Sequence, residues 1–339
     1  MEDKSDGATV LRDVYVSDLT ASVQKAVLPT TQHGYANDTL YTKGWAATVP
    51  LLCPKSSHVI HTNGSIPWAE SRTGMLVRHG TVWNAKLARM CKRPLIFQGP
   101  PNRPMSNGLC PACGAPDSTS HIMGGCTHNR MKAAYIHRHN TAVQAIAKTI
   151  SKGKNGGCYM VMDAGAEANL PDYAASIRPP KWLLPEHPES ANELARMRPD
   201  ILLVPSLASG KTPRRHSDLP PSFWTHKDTP TAYILEIGYT HDTKHEEKAH
   251  RKAEQHSRLA ERLREAGWKV VYSKLEAITL GFGGTIRGDL ASLLQTLGAS
   301  NLSATKCCDK LSKHAVHTAH ATVQLRRELE RTTELPPGG

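Results

Sequence analysis

Aromatic residues are scarce in this chain: three Phe, six Trp and nine Tyr among 339 residues, 5% in all. With apolar residues at 39%, this argues against one large aromatic core. Two modest domains, or one domain with small attachments, fit better. No apolar run approaches the ~20 residues that a membrane-spanning helix requires. The opening residues, MEDKSDGATV, are polar and acidic, unlike the basic and then apolar start of a secretory signal. The eight cysteines form no paired framework, which suits a reducing compartment. No repeat of fixed period occurs. A nuclear or cytoplasmic protein without a membrane partner is the expectation.

Acidic residues are also in deficit. Thirty Asp and Glu stand against 42 Lys and Arg, a net charge of +12 with 18 His in addition. A surplus of this sign favours a polyanionic partner, because each neutralised phosphate releases condensed counterions. A solvated basic surface gives the same count, so charge alone does not decide.

The most distinctive feature present is CPACGAPDSTSHIMGGC, which places Cys110, Cys113, His121 and Cys126 within one short segment. Three thiolates and one imidazole at this spacing suit a single tetrahedral Zn²⁺. Two structural cysteines with a chance histidine are the competing reading. His128 is an alternative fourth ligand, although it crowds Cys126. Four protein ligands leave no open coordination position, so such a zinc is structural rather than catalytic.

Around this knuckle the hydrophobic pattern assigns the elements. Residues 1–73 show weak periodicity and no motif. Residues 74–93 read as a basic amphipathic helix or helix pair, with Arg78, Lys86 and Arg89 placed to grip nucleic acid. Helical spacing returns over 131–150, and 158–162 is a short strand candidate. Residues 200–204 and 231–237 read as buried strands, separated by a Pro- and cation-rich loop (205–230) containing Arg214 and Arg215. A long charged helix follows over 244–266. Strands at 269–272 and 277–280, a helix at 289–297 and a basic helical tail with a disordered end (301–339) complete the chain. The expected class is α/β: a mixed sheet flanked by helices, preceded by a zinc knuckle and a mostly helical or irregular N-terminal segment. The expected divisions are 1–73, 74–130, 131–300 and 301–339.

Asp200 begins one strand and Glu236 interrupts the apolar run of the next. A carboxylate inside a strand is costly unless something binds it, and two on neighbouring strands can hold one Mg²⁺. An edge strand with Glu236 facing water is the alternative. A cation beside the metal would orient water or stabilise the transition state. On the 244–266 helix, Ala249, Ala253, His256, Ala260 and Leu263 form one stripe at ~100° per residue. Lys252 lies close enough to that stripe to reach back to the strands, and Lys248 is the reserve.

Taken in order, the zinc pattern, Arg138-His139-Asn140, Arg198-Pro199-Asp200, Leu235-Glu236 and Ala249-His250-Arg251-Lys252 resemble the C-terminal part of site-specific non-LTR retrotransposon proteins. The resemblance covers about 74–298. It implies a CCHC knuckle followed by a restriction-enzyme-like endonuclease of the PD-(D/E)xK fold, which nicks target DNA and leaves a 3′ hydroxyl to prime reverse transcription. It would make Asp200 and Glu236 the Mg²⁺ ligands and Lys252 the displaced lysine, since Gly238 stands where an ExK lysine is expected. Target DNA and possibly element RNA become the partners, with Arg138 among the contacts. The loop between the acids is longer than usual in the family, and Glu stands where Asp is common. No reverse-transcriptase x-Asp-Asp signature occurs, so the chain is expected to be a fragment, a truncated copy or a domesticated remnant. A non-catalytic nucleic-acid-binding remnant and a zinc-stapled interaction module remain the other two readings.

Overall fold

A computed structural model describes residues 52–57, 65–78, 109–153, 159–162, 199–204 and 231–333. After a single turn at Pro54–Ser57, its helices are α1 (Trp68–Arg78), α2 (Asn129–Ser151), α3 (His245–Gln255), α4 (Ser257–Glu265), α5 (Asp289–Thr296) and α6 (Asn301–Thr333). The strands are β1 (Tyr159–Met162), β2 (Ile201–Val204), β3 (Thr231–Thr240), β4 (Lys269–Val271) and β5 (Ala277–Gly281). The expected mixed α/β class is what the structure has.

β1, β2 and β3 form an antiparallel meander. β4 and β5 both run parallel to β3, β4 beside Thr231–Tyr233 and β5 beside Glu236–Thr240. Parallel strands need a crossover, and α3 with α4 supplies it. Alternation along the strands sorts the apolar side chains onto two faces. Ile201, Leu203, Leu235 and Ile237 pack with Ile146 and Ile150 of α2 and with Leu294, Cys308 and Leu311 beyond the sheet. Leu202, Val204 and Ile234 pack with Leu259, Ala260 and Leu263 of α4 and with Trp268. Each fully buried side chain of this size contributes roughly 1.5–3 kcal/mol. With both faces covered, β2 and β5 are buried at every position rather than alternating.

Three features differ from the sequence reading. The 244–266 segment is two helices, broken at His256, whose φ of −120° and ψ of 26° are not helical. Helix α1 ends at Arg78 among the described residues, and the rest of the expected 74–93 helix lies outside them. The segment 301–333 is no loose tail. α6 packs on α1, α2, α5 and the knuckle, with Ala304, Cys308, Leu311, Ala315, Ala319 and Val323 all buried. At ~1.5 Å per residue this helix runs about 50 Å, long enough to staple the knuckle end to the sheet end.

Candidate active site

The knuckle is a tight turn from Cys110 followed by one turn of π-helix, His121–Gly125. Gly114 adopts a left-handed φ of 74°, a conformation that glycine enters without steric cost, and its N–H closes the turn onto the Cys110 carbonyl at 2.7 Å. The ligand atoms of Cys110, Cys113, His121 and Cys126 all lie within 4.8 Å of one another. Cys110 Sγ is 3.9 Å from Cys126 Sγ, and Cys113 Sγ is 3.3 Å from His121 Nε2. A tetrahedral ion with ~2.3 Å sulfur bonds needs edges of about 3.8 Å, so the four atoms can hold one metal such as zinc. His121, not His128, completes the set.

Cys113 and Cys126 titrate far apart. Burial opposes ionisation of Cys113, but the N–H groups of Ala115 and Thr127 and the neighbouring thiols outweigh it and draw the group down to about 6. Burial and its sulfur neighbours push Cys126 up to about 12. Three adjacent thiolates are stable together only around a cation. Asp117 ties the knuckle to α6 through a buried pair with Arg326 at 2.7 Å.

The second cluster grows from the β2–β3 register. Ile201 pairs with Leu235, which sets Asp200 opposite Glu236, and residues directly opposite in an antiparallel pair point to the same face. The Asp200 N–H donates to Glu236 Oε1 at 3.1 Å, and Asp200 Oδ2 accepts the Ile237 N–H at 2.6 Å. Glu236 shares the parity of Ile234, so it faces α3, not water. There Lys252 Nζ lies 2.7 Å from Glu236 Oε2 and 3.5 Å from Asp200 Oδ2. The edge-strand alternative for Glu236 is thereby excluded: the residue is 1% exposed.

Two histidines flank the acids, and neither was singled out from the sequence as a site residue. His139 Nε2 of α2 meets Asp200 Oδ1 at 3.1 Å, and His256 Nε2 meets Glu236 Oε1 at 2.9 Å. The result is a chain of His139, Asp200, Lys252, Glu236 and His256, each acid held between an imidazole and the shared ammonium. Burial alone would raise the Asp200 carboxyl, but His139, Lys252 and the Ile237 N–H hold it below the ordinary carboxylate range. Burial would lower Lys252 and His139, yet the carboxylates raise Lys252 and Asp200 raises His139.

Lys248 lies over Gly238. A Cβ at Gly238 would come 2.7 Å from Lys248 Cε and 3.4 Å from Lys252 Cε. The missing side chain at the strand position is therefore the space that the two helix lysines occupy. Burial, then the charges of Lys252 and Arg251, depress Lys248.

A cleft of about 480 Å³ opens beside the cluster. The cleft is lined by Ser120, Gly124 and Gly125 of the knuckle, by Lys244 just before α3 and by Lys248, Arg251 and Lys252 within it. The acids sit behind Lys252. Such a concentration of cations focuses a positive field on the cleft.

The arginines expected to touch nucleic acid need correction where they are described. Arg78 is 6% exposed. Its Nε donates to the Gly283 carbonyl at 2.8 Å, it bonds the Ser57 carbonyl, and it lies 3.9 Å from Asp242. Arg138 is 3% exposed. It is caged by Tyr239 and Phe282 at 4.5 and 4.8 Å and donates to the Met123 carbonyl at 2.7 Å. Arg78 is an internal tie rather than a surface contact; Arg138 is tied internally too, although it borders the cleft. Lys86, Arg89, Arg214 and Arg215 lie outside the described residues.

No protein-family model matches the chain, and no curated protein matches it. Among the described residues no helix is long and apolar enough to cross a membrane.

Proposed function

We propose that this chain is a Mg²⁺-dependent DNA endonuclease that hydrolyses a phosphodiester bond and leaves a 3′ hydroxyl. The observation that carries the reading is the Asp200–Glu236 pair set across one strand ladder, with Lys252 on both carboxylates at the edge of a cationic cleft. The order of helix α2, the β1–β3 meander, the α3–α4 crossover and the parallel strands β4 and β5 supports a restriction-endonuclease-like core. Together with the zinc knuckle, it supports kinship with the target-nicking region of non-LTR retrotransposon proteins, acting on chromosomal DNA in the nucleus.

Carboxylate oxygens are the donors a hard cation takes, so Asp200 and Glu236 would hold Mg²⁺. Bound there, the ion would supply Lewis acidity toward water and a phosphate oxygen. Lys252 orients the attacking water and offsets the negative charge developing on the phosphate oxygens. His139 and His256 fix the outer oxygens of the acids, leaving Oδ2 and Oε2 turned toward Lys252. Lys244, Lys248 and Arg251 draw the phosphate backbone into the cleft without reading sequence. Zn²⁺ held by Cys110, Cys113, His121 and Cys126 is structural and keeps the knuckle wall in place.

A second reading is a catalytically inactive nucleic-acid-binding remnant. One observation favours it: Glu236 is buried, with Oε1 on His256 and the Asp200 N–H and Oε2 on Lys252. Incubation of supercoiled plasmid with Mg²⁺ or with EDTA separates the two. Mg²⁺-dependent nicks that a polymerase extends from their 3′ ends support the nuclease. DNA binding without nicks supports the remnant.

A further inference from the structure

The break between α3 and α4 has no local cause. Residues 245–265 contain neither Gly nor Pro and are rich in Ala, Glu, Lys and Arg, residues that favour a continuous helix. A sharp interruption in such a segment requires an inserted group. Here the group is the Tyr272 hydroxyl. It accepts the His256 N–H at 3.0 Å and donates to the Lys252 carbonyl. Those two groups are the donor and acceptor that a continuous helix would join directly.

The two residues at this opened turn are also the two that hydrogen-bond the Glu236 carboxylate from α3 and its end. Lys252 Nζ reaches Oε2 at 2.7 Å and His256 Nε2 reaches Oε1 at 2.9 Å. Among the described residues His256 Nδ1 is buried with no hydrogen-bond partner, and the only other ring contact is with its chain neighbour, Gln255 Nε2 at 3.3 Å from Nε2, so the backbone at 255–256 sets the ring's aim. We infer that Tyr272 is a positioning residue: its hydroxyl wedges open the Lys252–His256 turn and thereby aims both side chains at Glu236. This rests on the nuclease reading for its catalytic consequence, though not for its geometry.

The sheet shows why a tyrosine is available there. β4 ends at Val271 opposite Tyr233, and β5 begins at Ala277 opposite Glu236. The irregular 272–276 segment therefore passes beside β3 just before the catalytic glutamate. Within it the Ser273 hydroxyl donates to the Glu276 carboxylate at 2.6 Å, and the Glu236 N–H donates to the Glu276 carbonyl at 3.0 Å. The strand break and the helix break thus meet at one hydroxyl. Burial, then the charges of Glu236 and Asp200, push the Tyr272 phenol up to about 12. It consequently stays protonated, and stays a donor to Lys252, across the neutral range.

Tyr272→Phe keeps the ring and removes the wedge, allowing the direct helical bond to close. In plasmid nicking, kcat should fall about tenfold or more, because small misplacements of reacting groups are costly. KM for DNA and the thermal midpoint should hold near wild type. In ¹⁵N spectra of the full chain, the His256 ring nitrogen signals should move. Wild-type kcat together with unmoved His256 signals would overturn the inference, and so would a loss confined to KM or to folding. If the wild-type protein itself fails to nick, the nuclease reading falls while the His256 signals in Tyr272→Phe still decide the wedge.

Discussion

Asp200 and Glu236 stand across the β2–β3 ladder and are joined by the main chain, the Asp200 N–H resting on Glu236 Oε1 at 3.1 Å. Two buried carboxylates this close repel one another, and Lys252 is the cation placed on both. The sheet therefore fixes the acids and the helix neutralises them.

Removing Lys252 exposes this repulsion. Lys252→Met should cost on the order of 3 kcal/mol, the scale of breaking a buried ion pair. Without the ammonium, the Asp200 carboxyl loses one of the charges that hold it below the ordinary range. In the wild type that lowered carboxyl contributes stability above its unfolded value of about 4, lost as pH falls through the folded value. The melting-point gap between variant and wild type should accordingly be wider near about pH 6 than near about pH 3. A gap that widens toward acid would contradict it.

Gly238 makes a separate prediction. Its absent Cβ leaves the room that Lys248 and Lys252 fill. The nearest atoms belong to flexible side chains, so Gly238→Ala should change stability by no more than about 1 kcal/mol. Nicking should fall several-fold more than stability suggests, because both lysines must shift. Moving the lysine to the strand, as Gly238→Lys in a Lys252→Ala background, should recover part of the lost rate. Melting and nicking measured on the same preparations check both statements.

Metal removal should act on the cleft through the knuckle. Met123, inside the π-turn, accepts Arg138 of α2, and Gly124 and Gly125 line the cleft. The purified protein is expected to carry about one zinc per chain by elemental analysis. Stripping it with a chelator, or substituting Cys113→Ser, should lower the melting point and weaken DNA binding together. Unchanged DNA affinity after zinc loss would separate the knuckle from the cleft.

The buried network around His245 predicts acid sensitivity. Its ring meets the Thr279 and Thr285 hydroxyls at 2.9 and 2.8 Å. Burial lowers it from 6.5 to about 4, with Asp242 opposing and Arg287 assisting. The unfolded chain then binds the proton first, so stability is full above 6.5 and lost as pH falls toward 4. The loss is on the order of 3 kcal/mol. His245→Gln should flatten the melting-point profile over that interval, which thermal scans at stepped pH will show.

Much of this was legible in sequence for definite reasons. Cys110, Cys113, His121 and Cys126 announce themselves because metal ligands must be close and few. Glu236 stood out as a charge inside an apolar strand, and helical geometry together with the two acids and the family resemblance favoured Lys252 over Lys248. What escaped depends on distant partners. Arg78 reads as a surface cation until Gly283, 205 residues away, takes its hydrogen bond. The helix break at His256 has no signal in 245–265, because its cause is a hydroxyl 16 residues further on. His256 was visible as a polar member of an apolar stripe, which was the available hint that it faces an acid. His139 sat in a noted triplet, but periodicity does not say that α2 crosses the end of β2. α6 was readable as a basic helix, yet nothing in its composition says that it packs on α1, α2, α5 and the knuckle.

The most direct test is a comparison of wild type, Asp200→Asn and Glu236→Gln on supercoiled plasmid with Mg²⁺, alongside their DNA affinities. The account predicts nicking by wild type alone, with all three proteins binding DNA to within a few-fold. Equal nicking by all three, or none by a wild type that carries its zinc, would contradict it.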